Sequence, residues 1–138
     1  MSMGGDFYAM SDDQLTRLLK GDLPYGDFLY DNPGEQPREA LTKFEHLWYE
    51  LSQVLGEEQG CGAAQSEVIP ELCSFSTSKE VAETARMLEK LDEAIILERC
   101  ELAGVEAPPA DVWGAVKEVI AFYRRAAENK DAVLFRVT

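Results

Sequence analysis

Apolar and polar positions repeat along this chain with two periods, and their order predicts the architecture. The clearest stretch is ADVWGAVKEVIAFYRRAAENKDAVLFRVT, residues 110–138. Val112, Val116, Val119, Ile120, Tyr123 and Ala127 recur there at helical spacing, and Lys117, Glu118, Arg124, Arg125 and Glu128 take the opposite side. Asn129 is placed to close this helix, because asparagine tolerates the left-handed cap conformation. Beyond Asp131 the pattern becomes AVLFRV, with Val133, Phe135 and Val137 alternating against Leu134 and Arg136 as in a strand. A long helix that returns directly into a strand predicts a central helix laid on a sheet.

The rest of the chain supplies the partners. GDFYAM, residues 5–10, reads as a strand. It leads into SDDQLTRLLKG, where Ser11 and Gln14 form a capping-box pattern and Gly21 marks the stop. From Arg38 to Leu55 the residues Leu41, Phe44, Leu47, Trp48, Leu51, Val54 and Leu55 step by threes and fours, which predicts one long helix. LCSFS, near residues 72–76, is a second strand, and Thr77 with Glu80 caps a helix running to about Leu91. Asp92 starts a further helix that ends at Gly104, and Pro108 and Pro109 set the entry to the last one. The sum is a single α+β domain over residues 1–138, with about three strands and four or five helices.

Two connections interrupt this pattern. Residues 21–37 carry three prolines and three glycines, yet also Leu23, Tyr25, Phe28, Leu29 and Tyr30. Such a connection either wraps the core, with a helical turn at DFLY, or serves a function. Residues 56–70 form the second crossing.

Charge narrows the function. There are 26 acidic and 13 basic residues, a net charge of −13. Residues 105–138 are balanced at five of each, so the whole excess falls on residues 1–104. No lysine or arginine lies between Lys43 and Lys79, an interval holding Glu45, Glu50, Glu57, Glu58, Glu67 and Glu71. This surface repels nucleic acid and anionic lipid and attracts a basic protein. Cys61, Cys73 and Cys100 lack paired spacing, as suits free thiols in a reducing compartment. The opening MSMGGDFYAM lacks a basic leader and an apolar run, and no apolar stretch reaches the about 20 residues needed to span a bilayer. A cytoplasmic location is expected.

Catalytic and metal-binding patterns are weak. His46 is the only histidine, and two residues from Phe44 it falls off the apolar stripe of the expected helix. The cysteines show no zinc spacing, Asp22, Asp27 and Asp31 miss the calcium-loop offsets, and no phosphate-binding glycine motif occurs. No cofactor is expected. Glu57 and Glu58 follow a helix end, where acids are mildly unfavourable, and so stand out among the paired carboxylates.

The opening MSMGGDFYAMSDDQLTRLL, the phrase DFLYD, the passage FSTSKEVAETARML and the ending FYRRAAENKDAVLF together resemble the YfbM-like family of bacterial domains of unknown function. The resemblance spans nearly the whole chain and implies an α+β fold and a bacterial, cytoplasmic setting. It implies no activity, cofactor or catalytic residue. The family's paired-histidine run in the second helix is represented here by His46 alone.

The expectation is therefore a non-enzymatic acidic domain that binds a basic protein, in its concrete form an immunity protein occluding a cognate toxin. Asp22, Tyr25, Asp27, Asp31, Glu57 and Glu58 are the expected contact residues. The alternatives are a small-ligand or enzymatic site under the 21–37 loop, and an adaptor whose charge serves only solubility.

Overall fold

The computed structural model describes residues 4–24, 27–31, 33–44, 47–64 and 73–137. Four strands, β1 (Gly5–Met10), β2 (Glu39–Phe44), β3 (Cys73–Ser76) and β4 (Ala132–Val137), form one sheet in the order β2-β1-β4-β3. Every pairing is antiparallel. The helices are α1 (Asp12–Lys20), α2 (Trp48–Val54), α3 (Ser78–Leu88), α4 (Glu93–Ala103) and α5 (Pro109–Glu128). A π-helical turn at Asp27–Asp31 and a 3-10 turn at Pro33–Glu35 lie in the long first connection.

The expected capping signals are in place. Gln14 N donates to Ser11 Oγ and Ser11 N to Gln14 Oε1, both at 3.1 Å. Thr77 and Glu80 repeat the exchange at 3.3 and 3.0 Å, and Asp92 Oδ1 accepts from Ile95 N at 2.9 Å. Each removes an otherwise unpaired donor from a helix start. At the end of α5 the left-handed residue is Lys130 (φ 57°), whereas Asn129 stays right-handed (φ −84°). The closure is a two-bond helix stop in which Asp131 N donates to Ala126 O and Lys130 N to Ala127 O. It sets the left-handed position one residue later than the sequence suggested.

The largest correction concerns residues 38–55, which form a strand and a short helix rather than one helix. Leu41 pairs with Phe7 and Phe44 with Gly5, so the register shifts by one residue between them. That bulge turns two residues three apart onto the same face of β2. Leu41 and Phe44 thus imitate the spacing of a helical stripe while lying in an edge strand. The sheet has four strands rather than three for this reason.

The sheet is covered on both faces. One face carries Phe7, Ala9, Leu41, Phe44, Val133, Phe135 and Val137, packed against α2 to α5. At its centre the Phe7 ring meets those of Phe135 (4.8 Å), Phe122 (6.0 Å), Phe44 (6.1 Å) and Tyr123 (6.3 Å). Burying a side chain of this size contributes about 2–3 kcal/mol. The other face carries Tyr8, Met10, Cys73, Ala132 and Leu134, covered by Leu15 and Leu18 of α1 and by Leu23, Phe28 and Leu29. The first connection is thus a packed wrap with its turn at DFLYD. Arg17 holds it to α1 through a forked pair with Glu35 at 2.9 and 2.7 Å.

Candidate functional site

Exposed apolar surface is concentrated on two helices. Among the described residues the large exposed hydrophobic side chains are Tyr49 (57%), Leu97 (38%) and Leu102 (80%), on α2 and α4. α2 is anchored by Leu51 and Val54, and α4 by Ile96 and Cys100, all buried in the same core. Arg99, one residue before Cys100, reaches from α4 to the end of α2. Its Nη1 donates to the Val54 carbonyl at 2.8 Å and to Glu58 Oε1 at 2.6 Å, and its Nη2 to Glu58 Oε2 at 3.0 Å. Glu57 Oε2 lies 3.3 Å from the same Nη2. The hydrogen bonds to Glu58 raise the Arg99 pKa and fix its charge.

Beside this clasp, two clefts of about 280 Å³ each share Gln53 and Ala103, forming one furrow. Val54, Glu57, Arg99 and Leu102 line one part, and Tyr49, Glu50, Gly104, Val105 and Glu106 the other. Across residues 48–58 and 93–106 there are seven glutamates and a single base, Arg99, which the clasp already neutralises. Glu50 Oε2 is fully shielded from solvent and has no hydrogen-bond partner among the described residues. A shielded oxygen of this kind is costly until a donor reaches it. The furrow offers apolar contact at Tyr49 and Leu102 beside two exposed acids, Glu57 and Glu106.

The predicted contact residues do not form one surface. Asp22 is exposed just after α1, and Asp27 opens the π-helical turn half-buried, both on the α1 side of the sheet. Glu57 and Glu58 belong to the opposite layer, beside α2 and α4. Glu57 is free enough to meet a partner, with 83% of its side chain exposed, whereas Glu58 is buried around Arg99. Tyr25, the side chain of Asp31 and His46 lie outside the described residues. Tyr49, Glu50, Leu102 and Glu106 were not singled out from sequence. Their signal was an α4 whose apolar residues, Ile95, Ile96, Leu97 and Leu102, form no single stripe.

Three further titratable groups, Asp131, Cys61 and Tyr123, sit within the packed structure. Asp131 is buried with its Oδ2 2.7 Å from Arg38 Nε, and desolvation raises its pKa despite that guanidinium. Burial likewise pushes the Cys61 thiol up to about 12 and raises the Tyr123 phenol, whose hydroxyl donates to the Gly60 carbonyl at 3.0 Å. Among the described residues no cluster of three or more His, Cys, Asp or Glu side chains is placed to hold a metal ion. No helix among them is long and apolar enough to cross a membrane.

No curated protein matches the chain. Among solved structures, it is similar to a protein of unknown function, YfbM from Escherichia coli, with a TM-score of 0.53 and 16% identity. That match covers 98% of this chain and 99% of the other, and shows a shared fold. The sequence profile of a domain of unknown function, DUF1877, matches residues 1–136. The match covers nearly the whole chain, and the chain belongs to the DUF1877 family.

Proposed function

We propose that this domain is a non-enzymatic binding module of the cytoplasm that engages a basic protein through the α2–α4 furrow. The observation that carries the reading is the pairing of exposed Tyr49 and Leu102 with a rim of glutamates. Aromatic and aliphatic anchors supply contact area, and the excess of acids around them favours a partner of opposite charge. In its concrete form the partner is a cognate toxin whose active site the domain covers, as an immunity protein does. The uneven charge of the chain supports that form, because it concentrates acid where the furrow lies.

The competing reading, a ligand site under the 21–37 loop, has less support. Leu23, Phe28 and Leu29 pack there directly against Tyr8, Met10 and Leu134.

Affinity capture at low salt, followed by mass spectrometry and a toxicity assay of the captured protein, tests the proposal. A basic partner is expected that binds the parent domain, is lost with Tyr49→Ala/Leu102→Ser, and dissociates as salt rises. Capture that is indifferent to both salt and the double substitution would sink it.

A further inference from the structure

We infer that the groove between α3 and α5 is a self-association surface, at which two copies of this chain pair about a two-fold axis. It lies apart from the α2–α4 furrow and stands independently of the reading given there. The bases of the chain are concentrated on these two helices. Residues 78–90 and 109–130, which hold α3 and α5, carry seven bases and six acids, whereas the rest of the chain carries six bases and 20 acids. All seven of those bases are exposed. Over most of the molecule a second copy meets its own excess of negative charge, and like charges set opposite each other are costly. α3 and α5 present a broad surface without that net repulsion. The same balance disfavours a strongly charged occupant of either sign.

Shape and chemistry within the groove agree. Its volume is about 490 Å³, and Ala82, Ala85 and Ala127 form its floor. Side chains that end at Cβ leave room there for a ridge of side chains from another helix. The α3 wall carries Arg86 and Glu89, the α5 wall Arg124 and Glu128. Arg124 Nε donates to Glu89 Oε1 at 2.8 Å and ties the two walls together. A further cleft of about 470 Å³ shares Arg86 and Glu89 and extends the surface along α3 past Met87 to Lys90. Each wall thus brings one guanidinium and one carboxylate. Such a set is self-complementary, because a two-fold axis can set the guanidinium of one wall against the carboxylate of the wall facing it. Arg86 makes no ion pair among the described residues, which leaves it for an acid of the second copy.

Sedimentation velocity on the full chain tests the proposal, with the parent expected to dimerise at a Kd of about 10–100 μM. Ala82→Glu/Arg86→Glu is compared with Thr16→Glu/Lys20→Glu, which makes the same change of charge on α1, across the sheet; all four positions are exposed. The groove variant is expected to weaken dimerisation more than about tenfold and the control less than about twofold. Thermal melts show whether both variants fold as the parent does. Should the groove variant melt early, amide NMR shifts of the parent on dilution carry the test, and they are expected on α3 and α5. A parent that stays monomeric up to about 1 mM would overturn the proposal. Equal weakening in the two variants would do the same, since net charge alone would then explain it. Dilution shifts on α2 and α4 would seat the second copy on the furrow and overturn the groove. A mass that keeps rising beyond two copies would mean head-to-tail contact and overturn the two-fold pairing.

Discussion

Arg99 and Glu58 face each other fork to fork, at 2.6 and 3.0 Å, while the same guanidinium holds the last turn of α2 through the Val54 carbonyl at 2.8 Å. One side chain thus joins α4, α2 and the segment that follows α2. That clasp ties α2 to α4 along one wall of the furrow.

Removing the cation should leave Glu58 buried and unpaired. With 23% of the Arg99 side chain exposed, Arg99→Met is expected to cost about 2–3 kcal/mol, below the full figure for a sealed ion pair. Glu58→Gln keeps one acceptor and should cost about 1 kcal/mol. Urea unfolding followed by circular dichroism checks both, and equal costs would show that charge is not what holds the clasp.

The furrow residues should behave oppositely. Tyr49→Ala and Leu102→Ser expose no core, so each should shift stability by no more than about 0.5 kcal/mol. Partner capture should fall all the same. A loss of binding that merely tracked a loss of stability would remove the case for a docking face.

Gly62 should tolerate a side chain poorly. Its φ is +104°, and an added Cβ would press on the Ser74 side chain and come within 3.1 Å of the Ser74 backbone. Gly62→Ala is expected to cost about 2–3 kcal/mol, against about 1 kcal/mol for Gly104→Ala, where φ is +66° and nothing lies within 4 Å. Matched denaturation curves give the comparison.

Two carboxylates should give pH dependences of opposite sign. Hydrogen bonds from Arg17 hold Glu35 below the usual range, so its contribution is present at neutral pH and is lost as pH falls through that lowered value. Burial raises Asp131, so its contribution is fullest below the ordinary carboxylate value and is lost as pH rises through the raised one. Asp131→Asn should therefore improve stability more at pH 7 than at pH 4, and Glu35→Gln should reduce it more at pH 7. Thermal melts at the two values decide the signs.

How much of this was legible depended on whether the signal was local. Ser11–Gln14, Thr77–Glu80 and Asp92 are contacts within four residues, and the sequence placed them correctly. β2 was misread because a bulge opposite β1 gives Leu41 and Phe44 a helix-like interval, and only pairing with another strand reveals it. Glu58 looked like a free acid because its partner lies 41 positions away. The furrow was invisible for the same reason. Tyr49 and Leu102 each resemble ordinary helix residues until α2 and α4 are set side by side.

The pairing of β1 with β4, from Gly5–Val137 through Met10–Ala132, also governs when the molecule can become itself during synthesis. Both strands sit in the middle of the sheet, so a nascent chain stopped before residue 132 has its helices but lacks the strand joining β1 to β3. Until then Phe7 and Tyr8 lack their β4 neighbours, Phe135 and Leu134, and that edge of β1 is open to other chains. Closure of the sheet therefore waits on the synthesis of β4, the element that joins β1 to β3.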